Sequence, residues 1–192
     1  MASKFFAILS RLKYINRWAL MRNTHTENLS EHTLDTAYIA QALVIIDKNR
    51  FGGKLNPEHA AVLAMYHDVS EILTGDMPTP VKYFNADLKK AYKAAEKSAA
   101  EKLINHLPYD MKEEIGGYIN PKCDDEYRPF IKAADRLSAV IKCIEERKTG
   151  NREFLAAEEA QMKAIKEMNI PAVNVFIDEF LPAYSLSLDE LN

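Results

Sequence analysis

Apolar residues recur at helical spacing along most of the chain: Phe5, Leu9 and Leu12 near the start, Leu34, Tyr38 and Ile45 further on, then Phe130, Ala134, Leu137, Ile141 and Ile144. That period of about 3.6 residues puts the apolar side chains on one face of a helix. No stretch alternates convincingly as a strand does. The pattern predicts an all-α fold, and its start and stop signals divide the chain into about seven helices. Asn28 with Glu31 three residues later forms a capping-box pattern that opens a helix towards Arg50, ended by Gly52 and Gly53. Asn56 followed by Pro57 supplies a cap and a first helical residue for a helix through Ala60, Leu63 and Ala64 to about Leu73, stopped at Gly75. Further helices are predicted over Asp87 to His106, Met111 to Gly117, Glu126 to Lys148, Glu153 to Glu167 and Pro171 to Phe180. Two segments read as loops: Asp76 to Pro80, and the longer Ile15 to Leu29, which holds Arg17, Trp18, Arg22 and His25 without clear periodicity.

Composition agrees with helix. The chain has 24 alanines among its 192 residues, with only 6 glycines and 8 prolines. Its 25 basic and 28 acidic side chains leave a net charge of −3, too balanced for a nucleic-acid polymer or an anionic membrane as partner, which points to a small molecule. Cys123 and Cys143 form no disulfide framework and no CxxC pattern, which fits a reducing cytoplasm, and no stretch approaches the ~18 apolar residues of a membrane helix. The apolar run Phe5 to Leu9 is short for a signal peptide. Without a repeat or a linker, residues 1–192 are expected to form a single domain.

The chemistry begins at Tyr66-His67-Asp68-Val69, an adjacent His and Asp near the end of an apolar, alanine-rich helix. Two such groups, if buried, need a partner or a metal. Neighbours on a helix point about 100° apart, so both reach one ion only if it sits over the ridge between them and other elements close the far side. The candidates to do so are His32, early in the capped helix, and Asp135, set among Ala133, Ala134 and Leu137 on a core-facing stripe where an ionised carboxylate is rare unless paired or metal-bound. Two imidazoles and two carboxylates suit one divalent ion such as Mn, Fe, Co or Ni, with Zn or Mg also possible, and leave positions for water and substrate. Glu71, four residues after His67 and three after Asp68, shares their face if the helix continues and could address the attacking water; its plain alternative is a surface acid at a helix end.

The order His32, His67-Asp68, Asp135 resembles the H…HD…D signature of HD-domain phosphohydrolases. More narrowly, Ile15-Asn16-Arg17-Trp18, Asn28-Leu29-Ser30-Glu31-His32, Tyr66-His67-Asp68-Val69-Ser70-Glu71 and Thr74-Gly75-Asp76-Met77-Pro78-Thr79-Pro80 resemble the bacterial 5'-deoxynucleotidases of that superfamily. The resemblance spans nearly the whole chain. It implies an HD-type helical bundle and a metal-dependent enzyme, often served well by cobalt and commonly homodimeric. Such an enzyme cleaves deoxyribonucleoside 5'-monophosphates to deoxynucleoside and phosphate through a metal-activated water.

It also implies roles. A phosphate monoester carries nearly two negative charges while two aspartates already neutralise a divalent ion, so a further cation is needed, and Arg17 is the choice, ahead of Arg22 and Lys82. Trp18 resembles the residue that packs near the sugar's 2' carbon, with a buried anchor for the loop as its alternative. Asp76, Met77, Pro78 and Thr79 would hold the sugar, His32, Asp68 and Asp135 would also face the substrate, and acid–base help would come from Glu71 or Asp76. Bland roles remain for His59 at the surface, His106 at a helix end, His25 in the loop or as support, Lys89, Lys90, Lys93, Lys97 and Lys102 on a solvated face, and both cysteines as fillers. The competing expectations are a different HD-type hydrolase, either a cyclic-nucleotide phosphodiesterase or a deoxynucleoside triphosphohydrolase, and a metal-stabilised helical module without turnover.

Overall fold

Helix predominates as expected in the computed structural model, which describes residues 2–121 and 125–192; Cys123 lies outside the described residues. Among those residues there are ten α-helices and no strand, only an isolated antiparallel bridge between Asn16 and Asn28. In chain order they are α1 Phe5–Leu9, α2 Leu29–Ile46, α3 Pro57–Met65, α4 Glu71–Thr74, α5 Thr79–Lys82, α6 Ala86–Ile104, α7 Lys112–Ile119, α8 Arg128–Lys148, α9 Leu155–Lys166 and α10 Pro171–Glu179. The excess over seven comes from the short α1 and from the predicted Asn56–Leu73 helix, which is broken into α3, a tight coil and α4, followed by a one-turn α5. None is long and apolar enough to cross a membrane.

The capping box is present in full. The Asn28 side chain accepts from the backbone N–H of Ser30 and Glu31, and the Glu31 carboxylate accepts from the Asn28 N–H. Three N–H donors at the helix start are thereby satisfied, a contribution of about 1 kcal/mol. Helix α2 closes at Ile46 in a wider turn over Asp47–Phe51, and Gly52 then takes the left-handed conformation, φ 76°, that lets the chain leave. Asn56 caps α3 through the His59 N–H, with Pro57 in the first turn as the sequence predicts.

Helix α2 is the axis of the molecule, flanked by α3 and α8, with α9 and α10 outside α8 and α2. Ile39, Leu43 and Ile46 of α2 meet Leu137, Val140 and Ile144 of α8 and Ile165, Val173 and Phe176 of the last two helices in the main core. A smaller cluster of Phe5, Val69, Leu103 and Leu107 ties α1 and α6 to the coil after α3. Burying a side chain of this size contributes ~1.5–3 kcal/mol, so both clusters hold their elements firmly. Cys143 is a buried filler, its thiol pushed up to about 12 by burial. His59 is not a plain surface residue: its ring packs against Tyr118 and Tyr127.

Candidate metal centre

The break after α3 is what builds the site. From Tyr66 the ladder tightens to three-residue bonds: Tyr66 N–H to Leu63 O at 3.2 Å, His67 N–H to Ala64 O at 3.3 Å, Val69 N–H to Tyr66 O at 3.3 Å and Glu71 N–H to Asp68 O at 2.9 Å. His, Asp and Ser are indifferent helix formers that compete for local backbone groups, which favours such a coil over a regular helix. Its consequence corrects the ridge geometry expected of a straight helix, because His67 Nε2 and Asp68 Oδ2 come to lie 3.0 Å apart, aimed at one place.

His32, fully buried on α2, faces the same place. Its Nε2 lies 3.2 Å from Asp135 Oδ1 and 3.6 Å from Asp68 Oδ2. Donor atoms of His32, His67 and Asp135 all fall within 4.8 Å of one another, and Asp68 borders both imidazoles. Asp135 differs from expectation in one respect: its side chain is 40% exposed, at the mouth of the site rather than deep in the core. The remaining nitrogens fix the rings. His67 Nδ1 donates to Ala64 O at 2.7 Å and His32 Nδ1 pairs with Ser138 Oγ at 3.1 Å. Since a carbonyl only accepts, His67 Nδ1 carries the proton and the Nε2 lone pair is turned inward in the neutral ring.

Both Nε2 atoms and Glu71 Oε2 are buried without a hydrogen-bond partner. Buried polar atoms are rarely left so, and three orphans around two carboxylates fit a divalent ion with a mixed N/O shell. The electrostatics agree. Burial pushes His67 down, but Asp68 and Asp135 outweigh it and raise the ring to about 9. Asp68 resists burial and is held well below the usual carboxylate range by His67 and His32. A field that favours a proton on an imidazole favours a dication more, and the two compete.

Glu71 heads α4 and is 6% exposed, which removes the surface-acid alternative. Burial and the facing Asp68 and Asp76 push its carboxyl up to about 9, with Lys82 opposing. Asp76 is raised by burial against the pull of Arg17. Gly75 makes the corner between them at φ 75° and ψ 159°, a conformation that costs glycine nothing and other residues much. The Asp76–Pro80 loop is shorter than predicted, since Thr79 and Pro80 open α5.

Arg17, in the long loop, reaches towards the metal candidates: Nη1 donates to Glu27 Oε2 at 2.8 Å and Nη2 stands 3.9 Å from Asp135 Oδ1. Trp18 follows at a left-handed φ of 61°, its ring against Phe154 at 5.3 Å. The structure thus brings Arg17, His32, His67, Asp68, Glu71, Asp76 and Asp135 together. Met77, Pro78 and Thr79 continue the chain from Asp76, while Arg22 lies apart, its backbone N–H on Glu153.

Sequence reasoning missed three residues. Glu27 is the buried acceptor for Arg17 and Trp18; its signal was an acid opposite an arginine in a loop whose ends pair at Asn16 and Asn28. Lys142 and Glu146 form a buried pair on α8, visible as two charges four residues apart inside an apolar stripe. Glu146 receives the N–H groups of Thr24 and His25, so His25 is held by its main chain and the loop is pinned to α8.

Comparison with known proteins adds an independent line. A family model described as 5'-deoxynucleotidase YfbR-like matches residues 4–184. A 5'-deoxynucleotidase of Enterobacter sp. (strain 638) is 48% identical over 191 residues, covering 99% of this chain and 96% of that protein. The 5'-deoxynucleotidase YfbR of Escherichia coli O127:H6 (strain E2348/69 / EPEC) is 48% identical over the same coverage, 99% and 96%. Among solved structures, an HD-domain phosphohydrolase from Listeria innocua matches with a TM-score of 0.82 at 23% identity, over 94% of this chain and 88% of that one. The cyanophage S-2L HD phosphohydrolase bound to dA and one catalytic Zn2+ ion matches at 0.66 and 20% identity, over 96% and 98%. At those identities the structural likeness establishes the fold.

Proposed function

The chain belongs to the YfbR-like 5'-deoxynucleotidase family, and we propose that it is a metal-dependent phosphomonoesterase converting deoxyribonucleoside 5'-monophosphates to deoxynucleoside and phosphate. The observation that carries this reading is the pair of orphaned imidazole Nε2 atoms facing Asp68 and Asp135, with Arg17 Nη2 3.9 Å from Asp135 Oδ1. In it His32, His67, Asp68 and Asp135 hold one divalent ion, cobalt or manganese serving well. When bound, such an ion polarises a phosphoryl oxygen and makes water a stronger nucleophile.

The chain's own residues do the rest. Arg17 Nη1 is committed to Glu27, so Nη2 and Nε are the edge that receives phosphoryl oxygens beside Asp135. Glu71 Oε2 is buried and unpartnered, and its raised carboxyl, drawn back to the ionised form by the charge of a bound dication beside Asp68, accepts the proton of the attacking water. Attack opposite the sugar forms the new P–O bond and breaks the bond to the 5' oxygen, which takes up the proton that the water gave up, relayed by Glu71 or Asp76. Trp18 forms the wall at the 2' carbon, because a site that must reject one extra hydroxyl needs a steric obstacle rather than a missing bond. Asp76 to Thr79 hold the sugar, and residues 1–192 act as one catalytic domain.

Location in the cytoplasm and pairing into a homodimer complete the reading; the exposed Leu34, Tyr38 and Ile45 of α2 supply an apolar face for the latter. The test is phosphate release from dAMP and AMP by purified protein with added cobalt or manganese. Turnover of dAMP, sparing of AMP and loss of activity with chelator are expected. Release of triphosphate from dNTPs with monophosphates untouched would overturn it.

A further inference from the structure

Glu27 holds three groups at once. Its carbonyl accepts the Arg17 N–H at 2.9 Å, and its single oxygen Oε2 accepts both Arg17 Nη1 and Trp18 Nε1, each at 2.8 Å. It is 8% exposed, in the last turn of loop before the Asn28 cap, and the bridge between Asn16 and Asn28 keeps its backbone opposite Arg17.

Trp18 needs such a partner. A bulky residue at φ 61° is disfavoured by about 1–2 kcal/mol, and such strain persists only where the surroundings over-determine it. Here Phe154 backs the ring, Met21 N–H and Asn23 Nδ2 donate to the Trp18 carbonyl, and Glu27 fixes the indole N–H. Of these contacts, only that with Glu27 also fixes the guanidinium, whose Cζ sits 5.7 Å from the indole ring centre.

We infer that Glu27 is the positioning residue for sugar selection: one carboxylate oxygen locks the phosphate-facing guanidinium and the 2'-facing indole into a single relative orientation, so that seating the phosphate also presents the wall. The inference rests on the roles proposed for Arg17 and Trp18. It places the discrimination between deoxyribose and ribose in a side chain that does not itself touch the substrate.

The test compares wild type with Glu27→Ala, Glu27→Asp and Glu27→Gln. Glutamine keeps an oxygen at the same reach and loses the charge; aspartate keeps the charge and withdraws the oxygen by one methylene. Glu27→Gln is expected to keep the ratio of kcat/KM for dAMP over AMP within about threefold, whereas Glu27→Asp and Glu27→Ala lower it about tenfold or more, the size of one lost charge-assisted hydrogen bond. Trp18 is the only tryptophan in the chain, so the single indole N–H resonance of 15N-labelled protein reports on the lock without any turnover. That resonance should exchange slowly with solvent in wild type and Glu27→Gln, and rapidly in Glu27→Asp and Glu27→Ala. Retention of the wild-type ratio and indole protection by Glu27→Asp, with loss of both in Glu27→Gln, overturns the inference. A wild-type enzyme that turns over dAMP and AMP equally would overturn the sugar preference itself, while the indole signal still decides whether Glu27 holds the wall.

Discussion

Replacing Glu146 by alanine should destabilise the protein far more than a typical acid-to-alanine change. Its carboxylate is 1% exposed and serves five donors: the Thr24 N–H at 2.9 Å, the Thr24 hydroxyl at 2.6 Å, the His25 N–H at 3.2 Å, Asn151 Nδ2 at 2.8 Å and the Lys142 ammonium. Truncation leaves Lys142, 4% exposed, with the His25 carbonyl as its hydrogen-bond partner and the Phe154 ring 5.6 Å away, but without a counter-charge in contact among the described residues. Breaking a buried pair from one side costs about 3–5 kcal/mol, and in a chain of this size each kcal/mol moves Tm by roughly 2–4 °C, so a fall of about 6–20 °C is expected in thermal unfolding. The double variant Lys142→Met with Glu146→Leu removes the unpaired charge, yet it should recover only part of this, because the N–H groups of Thr24 and His25 stay unsatisfied. Acid should act in the same direction. Burial alone pushes Glu146 up, but Lys142, Thr24 and Asn151 together hold it far below the usual range. Its contribution is therefore complete above the unfolded value of about 4.3 and is lost as pH falls below it, which urea denaturation at pH 7, 5 and 3 will show as a steeper loss in wild type than in Glu146→Ala. A Glu146→Ala protein within about 1 kcal/mol of wild type would refute the anchoring of the loop to α8.

Glu71→Gln should lower kcat by about 10²–10⁴ in phosphate-release assays while stabilising the metal-free protein to urea near pH 7. Burial, Asp68 and Asp76 raise this carboxyl to about 9, so at neutral pH the metal-free folded state holds it protonated while the unfolded chain ionises, which costs stability that glutamine restores; loss of stability would contradict this. Tyr92→Phe removes the hydroxyl that donates to Gly75 O at 3.0 Å and should cost about 0.5–1.5 kcal/mol, raising KM for dAMP more than it lowers kcat; an unchanged KM would show that this strut does not hold the Asp76 loop. Metal binding followed by calorimetry in two buffers of different ionisation heat should release protons below about pH 9, because His67 holds one until the ion displaces it; buffer-independent heats would argue against His67 as a ligand.

Periodicity and caps made the long helices legible, since Asn28 with Glu31 and Asn56 with Pro57 act within a few residues of chain. The break at Tyr66 was not legible: alanine-rich flanks favour a continuous helix, and the coil persists because Val69 is buried among Phe5, Leu103 and Leu107, contacts made across the sequence. The ligand candidates stood out because two histidines and two acids lay in otherwise apolar surroundings. Glu27 and Glu146 are signalled more weakly, by an arginine across a loop and by Lys142 one turn away, and only folding buries them. Asp135 reads as a core acid from its buried neighbours Ala133, Ala134 and Leu137, whereas its side chain is 40% exposed and faces Arg17.

The most direct test of a single divalent-metal centre is to strip the protein with chelator, reconstitute it with cobalt or manganese, and measure bound metal and phosphate release from dAMP on the same samples. One ion per chain is expected, with activity rising in proportion to occupancy, and both should fall together in His67→Ala and Asp135→Ala. Full turnover by stripped protein, or a full complement of metal in both variants, would contradict it.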